Sequence, residues 1–237
     1  AQDSEVPYPY LSAWDDPGAV FLSGYSQSQR RKLLNRLFTS FKKEFGRFPT
    51  AVGAWWIDSY SMHYMREKYA GESAMIVADQ KTTDDYGVWG QWWGVPYYPS
   101  KINILVPAQD RNQMEDVVIT QWAQRDLSRA IGEGPAFSNY SLQASDYPER
   151  GKNTTYFLSL AKNYLDCNLP IGQVTVGLET GIESVKFLPE YQNQLQALLT
   201  TEDLKPVSLS EFGRAFRDVY SENPQKLVLK DGKSEWI

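Results

Sequence analysis

At 237 residues, with 42% hydrophobic and 22% charged residues, the chain has ordinary globular composition and ample material for a core. Its net charge of −5 and isoelectric point near 5.1 argue against the basic face of a phosphate-backbone binder, and no apolar run reaches the roughly 18 residues of a spanning helix. One cysteine, Cys167, and one histidine, His63, leave no internal disulfide, no cysteine-based zinc cage and too few nitrogen ligands for most catalytic zinc sites.

Taken in chain order, Ala19 to Leu22 is a short apolar run that reads as a strand. Ser26 to Gln29 is a capping box, and Leu34, Leu37, Phe38, Phe41 and Phe45 follow at helical spacing until Gly46. Phe48 to Ile57 has no helical period and reads as a buried strand. A helix is expected from Ser59 to Tyr69, stopped at Ala70-Gly71. Ser73 to Ala78 is the next strand, and Asp79 to Pro99, rich in Gly, Pro, Trp and Tyr, reads as a long functional loop. Val117 to Thr120 is a β-branched strand. Asn153 or Thr154 opens a helix with Phe157, Leu158, Leu160, Ala161, Tyr164 and Leu165 on its apolar side. Gln173 to Leu178 is expected as a strand, followed by a helix from near Pro189 with Tyr191, Leu195 and Leu198 inward. Lys205 to Val207 is a possible last strand before a capped helix, Ser208-x-x-Glu211, carrying Phe212, Phe216 and Val219. Strands alternating with helices, without repeat or linker, predict one α/β domain over residues 1–237, with a parallel sheet either closed into a barrel or left open.

In parallel α/β folds the functional groups gather at the C-terminal ends of the strands. The residues just past the expected strands are Asp58, then Asp79 and Gln80, then Gln121 and Trp122, then Glu179. Each has a plain structural reading beside the functional one: Asp58 precedes a helix and could be its N-cap, and Asp79 could start a polar turn. Glu179, in Gly177-Leu-Glu-Thr-Gly181, has no helix immediately after it to cap. His63 reads as a surface or half-buried side chain and Cys167 as a small buried apolar group. Five of the eight tryptophans fall between Trp55 and Trp93. Flat rings with neighbouring carboxamides suit a sugar, so Trp56, Trp92, Trp93 and Tyr97 are candidate substrate contacts with Gln80 and Gln121. The competing reading has these rings filling a core.

The segments Val52–Ser61, Ala78-Asp-Gln80 and Trp89–Lys101, with Phe21-Leu-Ser-Gly-Tyr25 and Val176-Gly-Leu-Glu179, resemble bacterial members of the glycoside hydrolase/deacetylase β/α-barrel superfamily. That superfamily includes glycoside hydrolase families 57 and 38 and the polysaccharide deacetylases. The resemblance implies a seven-stranded (β/α) barrel, with one or two N-terminal strands expected upstream of Ala1. Deacetylases of this kind hold a metal with an Asp and two His, and the chain has only His63. Family 57 enzymes use a Glu nucleophile and an Asp acid without metal. The expectation is therefore a metal-independent glycoside hydrolase: no cofactor, Glu179 as nucleophile or base, and Asp58, or second Asp79, as general acid, about 5–5.5 Å apart if retaining. Two alternatives stand: a deacetylase-like enzyme with ligands outside this chain, and a non-catalytic sugar-binding barrel. The expected partner is an oligosaccharide or polysaccharide, not nucleic acid or membrane. Compartment is left open by the residues, an extracytoplasmic or cell-envelope location being favoured by that substrate class.

Overall fold

The computed structural model describes residues 4–7, 21–54, 57–76, 95–124, 143–165, 170–201, 204–224, 227–230 and 233–236. The chain divides into two compact units. The first takes Ala1–Met75, Tyr97–Ile119 and Leu209–Ile237, the second Ile76–Pro96 and Thr120–Ser208.

Strands β1 (Ala51–Ala54), β2 (Ser73–Ile76) and β3 (Val118–Gln121) form a sheet in the order β1-β2-β3. Glu72 N donates to Thr50 O at 2.7 Å, Val118 N to Glu72 O at 3.0 Å and Trp122 N to Ile76 O at 3.2 Å. The last two bonds keep the same offset along both strands, which is the signature of parallel pairing. On the other edge of β3, Ile119 makes an antiparallel bridge with Tyr97. Of the seven-stranded barrel expected, these three parallel strands are what the described residues contain.

In the first unit, helix α1 (Gln27–Phe45) opens on Ser26 with both bonds of the capping box and closes on Gly46 at φ 72°. It buries Leu34 and Phe38, whereas Leu37 and Phe45 stay exposed, so its apolar stripe is narrower than its sequence. Helix α2 (Ser59–Tyr69) ends where Ala70 turns left-handed. The two helices meet through Phe38 stacked on Tyr69 with centroids 4.2 Å apart, and Phe48 meets Tyr69 edge-on at 5.0 Å. Asn35 Oδ1 accepts from the Tyr64 hydroxyl, Lys68 Nζ and the Tyr69 hydroxyl. Later in the chain come helix α7 (Leu209–Val219) and the antiparallel hairpin β4 (Leu227–Lys230) and β5 (Lys233–Trp236). Helix α7 lies so close to β2 that a Cβ on Gly213 would come within 1.8 Å of Ser73 Oγ. Asn223 ties the unit together: its Oδ1 accepts from Tyr98 N at 2.6 Å, and its Nδ2 donates to Tyr98 O and Ala108 O.

The second unit holds helices α3 (Asp146–Glu149), α4 (Thr154–Leu165), α5 (Ile182–Lys186) and α6 (Leu188–Leu199). Tyr147, Phe157 and Leu160 form its buried cluster, against which Val174, Val176 and Leu198 pack. Helix α4 buries Phe157, Leu160, Ala161 and Tyr164, whereas α6 buries Gln194, whose Nε2 donates to Glu190 Oε1.

Three expected strands are corrected. Gln173–Leu178 and Lys205–Val207 carry no strand, and Leu22 begins a 3-10 turn (Leu22–Gly24) rather than ending a strand. The first still shows the side-chain alternation of a strand: Val174 and Val176 go to the helical cluster, while Gln173 Nε2 and Thr175 Oγ1 donate to Gln121 O. Side chains thus satisfy the carbonyl that a backbone ladder would have used.

Candidate active site

Asp58 lies at the N-terminus of α2 and is 7% exposed. Its Oδ1 accepts from Ser61 N at 2.9 Å and from Arg30 Nη1 at 2.9 Å, and its Oδ2 accepts from Ser61 Oγ at 2.7 Å. Arg30 also donates from Nε to Tyr25 O and from Nη2 to Ser23 O. A short carboxylate at this position caps the orphan N–H groups of the helix, and here it also anchors, through Arg30, the turn that precedes α1. Both oxygens are engaged by donors of the first unit. The residue predicted first as general acid is therefore, in this structure, a cap and one half of an ion pair.

Glu179 and Gln121 both belong to the second unit. Gln121 ends β3 and is 3% exposed, with its carbonyl bonded to Gln173 and Thr175 as described above. The same segment runs on to the half-buried Glu179, whose backbone N donates to Gln143 Oε1 at 2.9 Å. Gln143 is held in turn: its N donates to Asp146 Oδ2 at 3.0 Å, and Ala144 N donates to Gly177 O at 2.9 Å. Asp146 is 5% exposed and faces Arg150 at 3.8 Å. Gly177 is required where it stands, because a Cβ there would lie 2.6 Å from the Trp122 ring. Glu179 is thereby fixed by its neighbours on both sides, through the Gly177–Trp122 contact and the Gln143 carboxamide.

Trp56, Asp79, Gln80, Trp92 and Trp93 lie outside the described residues. Tyr97 is a correction to the aromatic expectation. It is fully buried in the first unit, bridged to Ile119, with its hydroxyl donating to Ile104 O at 2.7 Å. Burial pushes its phenol pKa upward. Tyr98, 2% exposed, donates its hydroxyl to Tyr220 O at 2.7 Å. The end of the aromatic tract thus fills a core, and the loop expected to reach Pro99 is already paired from Tyr97 onward. His63 is exposed, its Nδ1 2.9 Å from Oε2 of the buried Glu115. Among the described residues, no group of three or more His, Cys, Asp or Glu is arranged to hold a metal ion, and no helix is long and apolar enough to cross a membrane.

Gln143 was not visible as a site residue, since nothing in its sequence neighbourhood marks it. Gly177 was detectable, because a glycine inside a strand-like run signals close approach of another group.

No protein-family profile matches the chain, and no curated protein matches it. The chain is similar in fold to a crystal structure of a protein from Parabacteroides distasonis described as a glycoside hydrolase/deacetylase, with TM-score 0.68 and 17% identity. The match covers 90% of this chain and 55% of the other, so the chain spans about half the length of that neighbour. At this identity the likeness speaks for the fold, a mixed α/β architecture with a parallel sheet.

Proposed function

We propose that the chain is a carbohydrate-active hydrolase, and within that class a metal-independent glycoside hydrolase with Glu179 as its principal carboxylate. The observation that carries this reading is the clamping of Glu179. Its backbone N is held by the buried Gln143 side chain, and the segment leading to it is pressed onto Trp122 just past the end of a parallel strand. Reacting groups in such sheets project from that end, and rigid support of the reacting side chain is what positional catalysis needs. Support also comes from the fold shared with the Parabacteroides distasonis protein.

In this reading Glu179 attacks the anomeric carbon as the glycosidic bond breaks, giving a glycosyl ester on its carboxylate. A second carboxyl group gives its proton to the departing oxygen, then takes one from the water that cleaves the ester. Asp79 is the better partner, because both Asp58 oxygens already accept bonds from Ser61 and Arg30. Gln80, Trp92, Trp93 and Gln121, all in the second unit, are proposed as sugar contacts. The relation to families 57 and 38 remains part of this proposal.

Release of reducing ends from a panel of polysaccharides tests the reading. Glu179→Gln is expected to abolish release while oligosaccharide binding persists, since the amide keeps shape but can neither attack nor take a proton. Parental turnover in that variant removes Glu179 from the chemistry. Chelator-sensitive release of acetate from acetylated substrates, without reducing ends, supports the deacetylase named in the neighbour's description instead.

A further inference from the structure

Among the described residues of the second unit, three buried polar atoms at the end of β3 and just beyond it have no hydrogen-bond partner: Thr120 Oγ1, Trp122 Nε1 and Gln124 Oε1. Their residues are 0%, 8% and 1% exposed. Buried polar groups are nearly always paired, and unpaired ones call for a specific explanation. These three fall at every second residue over five positions. Trp122 N continues the β3 ladder by donating to Ile76 O, so strand geometry reaches Trp122. Alternation then puts Thr120 and Trp122 on one face of the strand. The Trp122 ring packs against Gly177, which is two residues from Glu179, or at most about 7 Å of extended chain.

The chemistry of the three atoms selects a ligand class. The indole N–H can only donate, the carboxamide oxygen can only accept, and the threonine hydroxyl does both. Hydroxyl groups complement this set, since each can accept, as the Trp122 N–H requires, and donate, as the Gln124 oxygen requires. An anion gains nothing from the carboxamide oxygen, and a cation gains nothing from the indole N–H. We propose that Trp122 and Gln124, with Thr120, form a subsite that hydrogen-bonds the hydroxyls of a neutral saccharide beside Glu179. This rests on the reading of Glu179 as the carboxylate of a sugar-handling site, and adds residues to which that reading gives no role.

The test uses the whole chain and three probes: maltotriose, cellotriose and triacetylchitotriose. Binding is read by calorimetric titration and by the indole N–H resonance of Trp122, identified by its loss in Trp122→Phe. The parent is expected to bind at least one probe at millimolar concentration and to shift that resonance. Trp122→Phe and Gln124→Met are each expected to weaken binding by about tenfold or more. Their melting temperatures should hold or rise, because each removes an unpaired buried atom; Thr120→Val is a third, isosteric variant. No binding of any probe by the parent, or parental affinity in all three variants, overturns the proposal. So does a fall in melting temperature with unchanged affinity, which marks the atoms as structural. Failure here separates from failure of the glycosidase reading. A parent that binds and shifts the indole but hydrolyses nothing sinks only the latter. A parent that hydrolyses while Trp122→Phe and Gln124→Met keep its KM sinks only the former.

Discussion

The two units treat their buried polar groups differently. In the first, Asp58, Ser61, Asn223 and Glu115 all have partners within the unit; Ser73 Oγ, pressed by α7 at Gly213, is an exception. In the second, Gln143, Asp146 and Gln194 are paired, but alternate residues from the end of β3 onward, Thr120, Trp122 and Gln124, have polar atoms unpaired among the described residues. A paired buried carboxylate such as Asp58 has its bonding capacity filled by the architecture even though it follows a strand, where catalytic groups are expected. An unpaired run marks a place whose hydrogen bonds the fold has left to something else. Position along the strand selects candidates, and satisfaction of their bonding capacity sorts them.

The largest effect that can break this comparison is at Asp58. Asp58→Ala removes the cap of α2 and strands Arg30, whose side chain is 16% exposed. Removing one partner of a buried pair leaves an uncompensated charge, so a loss of about 3 kcal/mol or more is expected in urea unfolding. Glu179→Gln should change stability by under about 1 kcal/mol, as a shape-conserving change at a half-buried site. If Asp58→Ala unfolds at the parental urea midpoint but has lost all turnover, Asp58 belongs with the chemistry and the contrast collapses.

Next in size is Gly177→Ala. A methyl there meets the Trp122 ring at 2.6 Å and the Trp122 carbonyl at 3.2 Å. Either the ring or the segment carrying Glu179 must shift, at a cost of about 1–3 kcal/mol. Turnover and near-ultraviolet circular dichroism should both change, although no polar group has been altered. The double variant Gly177→Ala/Trp122→Leu should recover part of the stability and none of the sugar affinity, because the two sites share one contact. Additive losses in the double variant mean that ring and segment are not pressed together.

The parts of the fold that were legible in sequence are those set by local chemistry. Ser26 with Gln29 and Gly46 fixed both ends of α1, and α2 begins and ends where Asp58 and Ala70-Gly71 put it. The run 173–178 was misread because alternation reports where side chains go, not whether a neighbouring backbone is in register. Here Gln173 and Thr175 side chains take the place of the ladder at Gln121 O. The hairpin β4-β5 has its sequence signal in Asp231-Gly232, a strong turn pair between its strands. Asp58 shows why the site was only partly legible. Its two readings, cap and acid, are identical in sequence and separate only once Arg30, 28 residues earlier, is seen to reach it.

The smallest expected effect concerns the end of the aromatic tract and sharpens the division between core and site. Burial pushes the Tyr98 phenol up to about 12, partly opposed by the nearby Arg217 charge, against an ordinary 10.0. Because the folded value exceeds the unfolded one, the unfolded chain releases this proton first. The contribution of Tyr98 is thus complete below pH 10 and is lost as pH rises from about 10 through 12. Tyr98→Phe gives up the bond to Tyr220 O, worth about 1 kcal/mol at pH 8. It should also fall less steeply between pH 10 and pH 11 than the parent does, a difference that urea midpoints for the two chains can resolve. Parallel falls would mean that this phenol titrates as it does in water and that the end of the aromatic tract is not held in the core.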